Sequence, residues 1–239
     1  MEPQKKATVY LIPTVLSSDE KALDVLPAYI RGTIKKCSVF FTEQERTTRR
    51  FFKKLWKDMV IDDYAWYAIH HIDENIKIAF RKHILNGEII GIISEAGCPG
   101  IADPGQDLVA IAHLYDAQVI PLVGPSSILL ALMASGLNGQ NFHFCGYLPI
   151  DPAARRKRIK ELEDNSHAEK CTKIFIETPY RNNALLAEIF TSCQPETFLC
   201  IGYDITGDHE SIQTKKIKDW KKVPPVLAKI PAIFLLLAE

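Results

Sequence analysis

Residues 89–105 read Ile89-Ile90-Gly91-Ile92-Ile93-Ser94-Glu95-Ala96-Gly97-Cys98-Pro99-Gly100-Ile101-Ala102-Asp103-Pro104-Gly105. The isoleucines form a β-branched run with the length and apolarity of a strand buried on both faces. Ser94 and Glu95 then turn polar, and Gly97, Pro99, Gly100, Pro104 and Gly105 follow in close succession. Glycine lets a backbone approach a ligand closely, and proline stiffens a loop in advance of binding. Asp103 and Pro104 read as the N-cap and first position of a helix running through Asp107, Leu108, Ile111 and Leu114. Strand end, stiff loop and helix start together form the carboxyl-edge arrangement where open α/β sheets bind ligands. A plain connector would also use glycine, so the order of the residues has to separate the two readings.

The rest of the chain sets the bounds. A length of 239 residues accommodates one large domain or two small ones. With 47% hydrophobic and 24% charged residues, the composition is that of a globular protein with a substantial core. Twenty-nine Lys and Arg balance twenty-nine Asp and Glu, so any phosphate binding must come from local patches. The amino terminus, MEPQKKATVYLIP, has no apolar signal-peptide core, and the apolar tail AIFLLLAE is too short to span a membrane. Cys37, Cys98, Cys145, Cys171, Cys193 and Cys200 show no paired spacing and read as thiols of a reducing compartment, the cytoplasm. His70 and His71 have no ligand cluster nearby, so no metal site is expected.

On the amino-terminal side of the loop, Val9 to Ile12 reads as a first strand. Leu23, Leu26, Ile30 and Ile34 then recur at helical spacing. Val39 to Phe41 reads as a second strand, followed by an amphipathic helix that sets Arg46, Arg49, Arg50, Lys53 and Lys54 against Phe51, Phe52, Leu55 and Trp56. Ile78 to Leu85 is a helix ended by Asn86-Gly87. On the carboxyl side, Gln118 to Val123 is a buried-strand pattern, and Gly124-Pro125-Ser126-Ser127 opens a Leu/Ala-rich helix that stops at Gly136. Phe142 to Leu148 is a strand. After it Arg155, Arg156, Lys157, Arg158 and Lys160 cluster at a helix start, a solvated face by default but also a candidate for an anionic partner. Lys173 to Ile176 and Phe198 to Tyr203 read as strands, with a helix between them opened by Pro179, and Ala232 to Leu237 reads as a closing edge strand.

The order Ser94-Glu95-Ala96-Gly97-Cys98-Pro99-Gly100-Ile101-Ala102-Asp103-Pro104-Gly105 resembles the S-D/E-A-G-x-P-G-x-x-D-P-G signature of the tetrapyrrole methylase superfamily of S-adenosylmethionine (SAM) methyltransferases. It is most similar to the branch that 2′-O-methylates a cytidine of small-subunit ribosomal RNA. Further resemblances follow in order: Glu43, Arg46, Thr48 and Arg49 to A-E-D-x-R-x-T-R, and His71 and Asn75 to a substrate-facing Y-H-x-x-N patch. Gly124-Pro125-Ser126-Ser127 resembles P-G-P-S-A, Gly146-Tyr147-Leu148-Pro149 resembles G-F-L-P, and Glu177-Thr178-Pro179-Tyr180-Arg181 resembles E-x-P-H-R. Asp204 to Glu210 resembles E-L-T-K-x-x-E, and the chain departs from the family pattern at Ser17-Ser18 for Gly-Asn, Gln44 for an acid, Val123 for a proline, Tyr180 for a histidine and Gly207 for a lysine.

The resemblance implies an α/β protein of two α/β domains, each a mixed sheet flanked by helices, with SAM bound in the cleft between them. The domains would be residues 1–122, carrying the substrate-side loops and the SAM loop 94–105, and residues 123–239. It implies cofactor contacts at Ser94, Ala96, Gly97, Gly100, Ile101, Ala102, Asp103 and Gly105, at Ser126 and Ser127, and at the turns with Tyr147, Leu148, Thr178 and Pro179. It also implies a homodimer. Methyl transfer is an in-line displacement governed by positioning, which explains a signature of backbone rather than nucleophiles. Glu43 and Glu95 are the carboxylates expected to serve as a general base toward a ribose hydroxyl. Arg46, Arg49, His71, Arg155 and Arg156 are the candidate RNA contacts. Two other functions fit the residues: methylation of a tetrapyrrole or other small substrate, and SAM or RNA binding without catalysis.

Overall fold

β4 (Ile89–Ile93) lies at the centre of a five-stranded sheet, with β1 (Thr8–Ile12) on one side and β2 (Val39–Thr42) on the other. The computed structural model describes residues 6–227 and 229–239; the basic tail at residues 1–5 lies outside the described residues. β3 (Ala65–Ala68) and β5 (Gln118–Pro121) complete the order β3-β2-β4-β1-β5, and all four pairings are parallel. Parallel neighbours require crossovers, supplied by α1 (Tyr29–Ile34), α2 (Glu45–Leu55), α3 (Glu74–Leu85) and α4 (Gly105–Leu114). Ile90, Ile92 and Ile93 are fully buried, as a strand covered on both faces requires. One face packs Phe41, Phe80, Ile84 and Leu108, and the other packs Phe40, Phe52, Ile30 and Met59.

The chain divides into two compact units, Met1–Ser126 and Ser127–Glu239. The second begins with α5 (Ser127–Ser135) and continues with β6 (Phe142–Tyr147), α6 (Pro152–Glu169), β7 (Thr172–Glu177), α7 (Asn182–Ser192) and β8 (Phe198–Tyr203). β9 (Ser211–Lys216), α8 (Ile217–Trp220) and β10 (Ala232–Leu237) close it. The order is β6-β7-β10-β8-β9, with β6 and β7 parallel and the other pairings antiparallel. Both units are thus α/β, and the mixed pairing belongs to the second sheet.

Several elements differ from the sequence reading, among them β5, read as a buried strand and found as a half-exposed edge strand. The helix expected across Leu23–Ile34 breaks in two: a 3-10 turn, Glu20–Val25, ends at Leu26, which is extended at ψ 129°. Pro27 follows, and the residue before a proline is pushed out of the helical region. α4 starts at Gly105, one residue later than read, with Pro104 in the cap position and Asp103 outside the helix. The helix after β7 starts at Asn182 and leaves Pro179 in the preceding turn. β10 is no edge strand: it lies between β7 and β8, with Ile233, Phe234, Leu235 and Leu236 buried. A run apolar on both faces belongs at a sheet centre, and Phe234 stacks on Phe175 there, with ring centroids 5.8 Å apart.

Candidate active site

β2, β4 and β1 are adjacent and parallel, so their carboxyl ends deliver residues 43–44, 94–104 and 13–18 to one edge of the first unit, with residues 122–126 after β5 alongside. The loop after β4 is braced from within. Ser94, 4% exposed, directs its hydroxyl at the carbonyls of Ala96 and Gly97, both at 3.3 Å. The Gly97 carbonyl also accepts the Thr14 amide at 2.9 Å, which ties the loop to the end of β1. Gly97 has φ +71°, and a Cβ there would sit 3.1 Å from both Leu16 Cδ2 and the Pro125 carbonyl. The Cys98 thiol reaches the Pro125 carbonyl at 3.4 Å. Gly124 lies so close to Pro13 that a Cβ would meet the proline ring at 2.2 Å, so glycine is required there.

Asp103 holds the far side of the loop. Its carboxylate accepts the Gly100 amide at 2.7 Å and the Gly105 amide at 2.6 Å. Both oxygens therefore have backbone partners, so Asp103 braces the loop. Burial pushes its carboxyl above the ordinary range, opposed by those amides and reinforced by the Glu43 charge. Between the braces the loop presents Glu95, Ala96, Ile101 and Ala102 to solvent, with Ile101 51% exposed. Ala102 holds φ +61°, a left-handed conformation uncommon outside glycine and typical of ligand-contacting turns.

The two candidate bases meet. Glu43, at the end of β2, accepts the Glu95 amide at 2.8 Å, and its own amide donates to the Ile93 carbonyl at 3.0 Å. Desolvation raises the Glu95 carboxyl above the usual range, helped by the Glu43 charge and opposed by a hydrogen bond from Thr47. A carboxylate facing solvent beside a ligand loop is placed to accept a proton. Thr47 was not singled out from the sequence; it stands one residue before the matched Thr48, and only the fold shows which threonine meets Glu95.

The remaining candidates separate. Arg46 is exposed on α2, whereas Arg49 pairs with Glu45 and lies 5.0 Å over the Trp66 ring. His71 is exposed in the bend after β3. Arg155 overturns its expected role in RNA contact. Its side chain is 5% exposed, it grips Glu188 through Nε at 2.6 Å and Nη2 at 2.8 Å, and Nη1 donates to the Ile150 carbonyl at 3.1 Å. Charge clustering could not distinguish it from Arg156, which is 51% exposed. Ser126 and Ser127 are half-buried on either side of the division between the units. Tyr147 is 58% exposed, Thr178 and Pro179 are half-buried, and Leu148 is buried in the second core. Gly207, the departure from lysine, lies under Asp204: a Cβ there would meet its carboxylate at 2.2 Å. Among the described residues no group of three or more His, Cys, Asp or Glu could hold a metal ion, and no helix is long and apolar enough to cross a membrane.

A parallel sheet with a stiff Gly/Pro loop at its carboxyl edge, followed by a mixed-sheet unit, defines the architecture of the tetrapyrrole methylases. Two solved methyltransferases share it. The uroporphyrin-III-C-methyltransferase from Thermus thermophilus aligns over 97% of this chain and 92% of its own, with TM-score 0.57 and 14% identity. The methyltransferase CobJ aligns over 98% and 94%, with TM-score 0.61 and 13% identity. No family model matches the chain. It is 32% identical to "Ribosomal RNA small subunit methyltransferase I" of Micromonospora olivasterospora over 76% of this chain and 54% of that protein. The namesake of Halalkalibacterium halodurans is 32% identical over 74% and 57%, and that of Vibrio cholerae 28% identical over 88% and 69%. The matched region thus spans little more than half the length of the first two relatives. The chain thus shares its fold with these methyltransferases and is similar in sequence to relatives named for the small-subunit ribosomal RNA.

Proposed function

We propose that this protein is a SAM-dependent methyltransferase that methylates a ribose 2′-hydroxyl in small-subunit ribosomal RNA. The observation that carries the reading is the juxtaposition of Glu43 and Glu95 with the braced, exposed Ile101-Ala102 tip on one sheet edge. The names of the relatives supply the substrate class. The residues fit the cofactor: Ile101 offers apolar surface to an adenine, strained backbone at Ala102 stands clear for close approach, and two carboxylates favour a sulfonium cation. When bound, SAM supplies an electrophilic methyl group that an oxygen nucleophile takes by in-line displacement.

The chain's own residues have separable tasks. Ser94, Gly97, Asp103 and Gly105 hold the loop rigid, and Ala96, Gly100, Ile101 and Ala102 contact the cofactor. Ser126, in the turn after β5 at the end of the same unit, adds a further contact. Glu95 accepts the hydroxyl proton, and Glu43, fixed on the Glu95 amide, keeps that carboxyl poised. Arg46, His71 and Arg156 lie against RNA, with Arg49 held back by Glu45. The protein acts as a homodimer in the cytoplasm, without a metal. Incubation with methyl-labelled SAM and small ribosomal subunits lacking the modification tests this reading: label in RNA sustains it, and label accepted only by a small tetrapyrrole replaces it.

A further inference from the structure

One edge of the second unit is strained. β6, β7 and β8 run in the same direction, and β10 runs against them. One edge therefore collects the turns after β7 and β8 and the segment leading into β10. Three non-glycine residues with left-handed backbone gather there: Asp204 at φ +48°, Thr206 at +69° and Lys229 at +58°. For β-branched Thr206 this is a genuine outlier, and such strain concentrates where ligands are held. Three buried oxygens at the same edge, Glu177 Oε2, Asn182 Oδ1 and Thr206 Oγ1, have no hydrogen-bond partner among the described residues.

From this edge projects Tyr180, 81% exposed, the most exposed large apolar side chain among the described residues. Its turn is rigid. The fully buried Glu177 side chain accepts the Thr178 amide at 2.7 Å and two Arg181 nitrogens at 2.9 and 2.6 Å, while the Arg181 amide closes the turn on the Thr178 carbonyl at 2.9 Å. Pro179 fixes the backbone beside it. Lys229 Nζ lies 6.0 Å from the ring centroid, and Arg181 stands next in sequence, 30% exposed. An aromatic face held open on a braced turn, with a lysine beside it, has the makings of a stacking platform for single-stranded nucleic acid.

We propose that Tyr180 stacks on an unpaired base of the RNA, with Lys229 beside the adjoining phosphate and Arg181 holding the turn through Glu177. This rests on the RNA reading above. Binding of a fluorescently labelled single-stranded RNA dodecamer is measured by anisotropy for the full chain, Tyr180→Ala, Tyr180→Trp and Lys229→Gln, with SAM affinity by calorimetry alongside. Tyr180→Ala weakens RNA binding by about 5- to 150-fold. Tyr180→Trp restores it, SAM affinity stays unchanged, and Lys229→Gln lowers the salt slope by about 0.7. Wild-type RNA affinity in Tyr180→Ala overturns the platform and leaves the RNA reading standing. Loss of SAM affinity instead assigns the ring to the cofactor, and a change in oligomeric state assigns it to a second copy; either overturns the proposal. A wild-type chain that binds no RNA overturns the RNA reading and the platform together.

Discussion

Glu95 carries opposing demands. Desolvation and the Glu43 charge disfavour its ionised form, so the folded state holds the Glu95 proton more tightly than the unfolded chain does. With a raised folded pKa, the ionised carboxylate costs stability above that pKa, and the cost vanishes as pH falls below the ordinary glutamate value. The proposed role as base requires the ionised form, so methyl transfer is expected to fall as pH drops through the same raised pKa. Glu95→Gln is expected to slow transfer by about 10²- to 10⁴-fold while raising Tm slightly, read by a rate assay and thermal melting on one preparation. A variant that loses rate and stability together would mark Glu95 as structural. Arg155 gives the opposite case. Arg155→Ala leaves the Glu188 carboxylate poorly compensated and is expected to cost about 3–5 kcal/mol in urea denaturation. Arg156→Ala leaves stability within about 0.5 kcal/mol and weakens RNA binding.

Strands and loops that spell out their environment were legible in the sequence. The Ile89–Ile93 run, the Gly/Pro loop, the amphipathic Glu45–Leu55 helix and the Gly124-Pro125 turn all lie where their residues indicate. β3 and β9 escaped. Ala65–Ala68 is a four-residue edge strand, and Ser211–Lys216 carries polar side chains without a buried stripe, so neither shows a clean apolar period. β10 was visible as a strand and misplaced, because position in a sheet depends on long-range pairing. Its central place has a consequence: Phe234→Ala should cost about 3–5 kcal/mol, more than an edge position would. At the site, the signature identified the loop but not the division of labour within it. Asp103 reads equally as cap or ligand until its oxygens are seen on the Gly100 and Gly105 amides. Gly97→Ala, forced to φ +71° against Leu16 and Pro125, is expected to weaken SAM binding in calorimetry, whereas Gly139→Ala, with open space around it, should not.

The whole chain is electrically neutral, so the proposed RNA substrate would be recognised through patches: α2 with Arg46, the exposed face of α6 with Arg156, and the Tyr180 edge. Binding of this kind is salt-sensitive in proportion to the phosphates contacted, and Arg46→Ala is expected to reduce the salt slope without changing SAM affinity. The most direct test of the central claim is transfer of labelled methyl from SAM to small ribosomal subunits that lack the modification, followed by alkaline digestion of the RNA. The account predicts label in an alkali-resistant dinucleotide, the mark of a 2′-O-methyl ribose, and its disappearance with Glu95→Gln. Label that stays in SAM, or that enters RNA only as alkali-labile nucleotides, would contradict it.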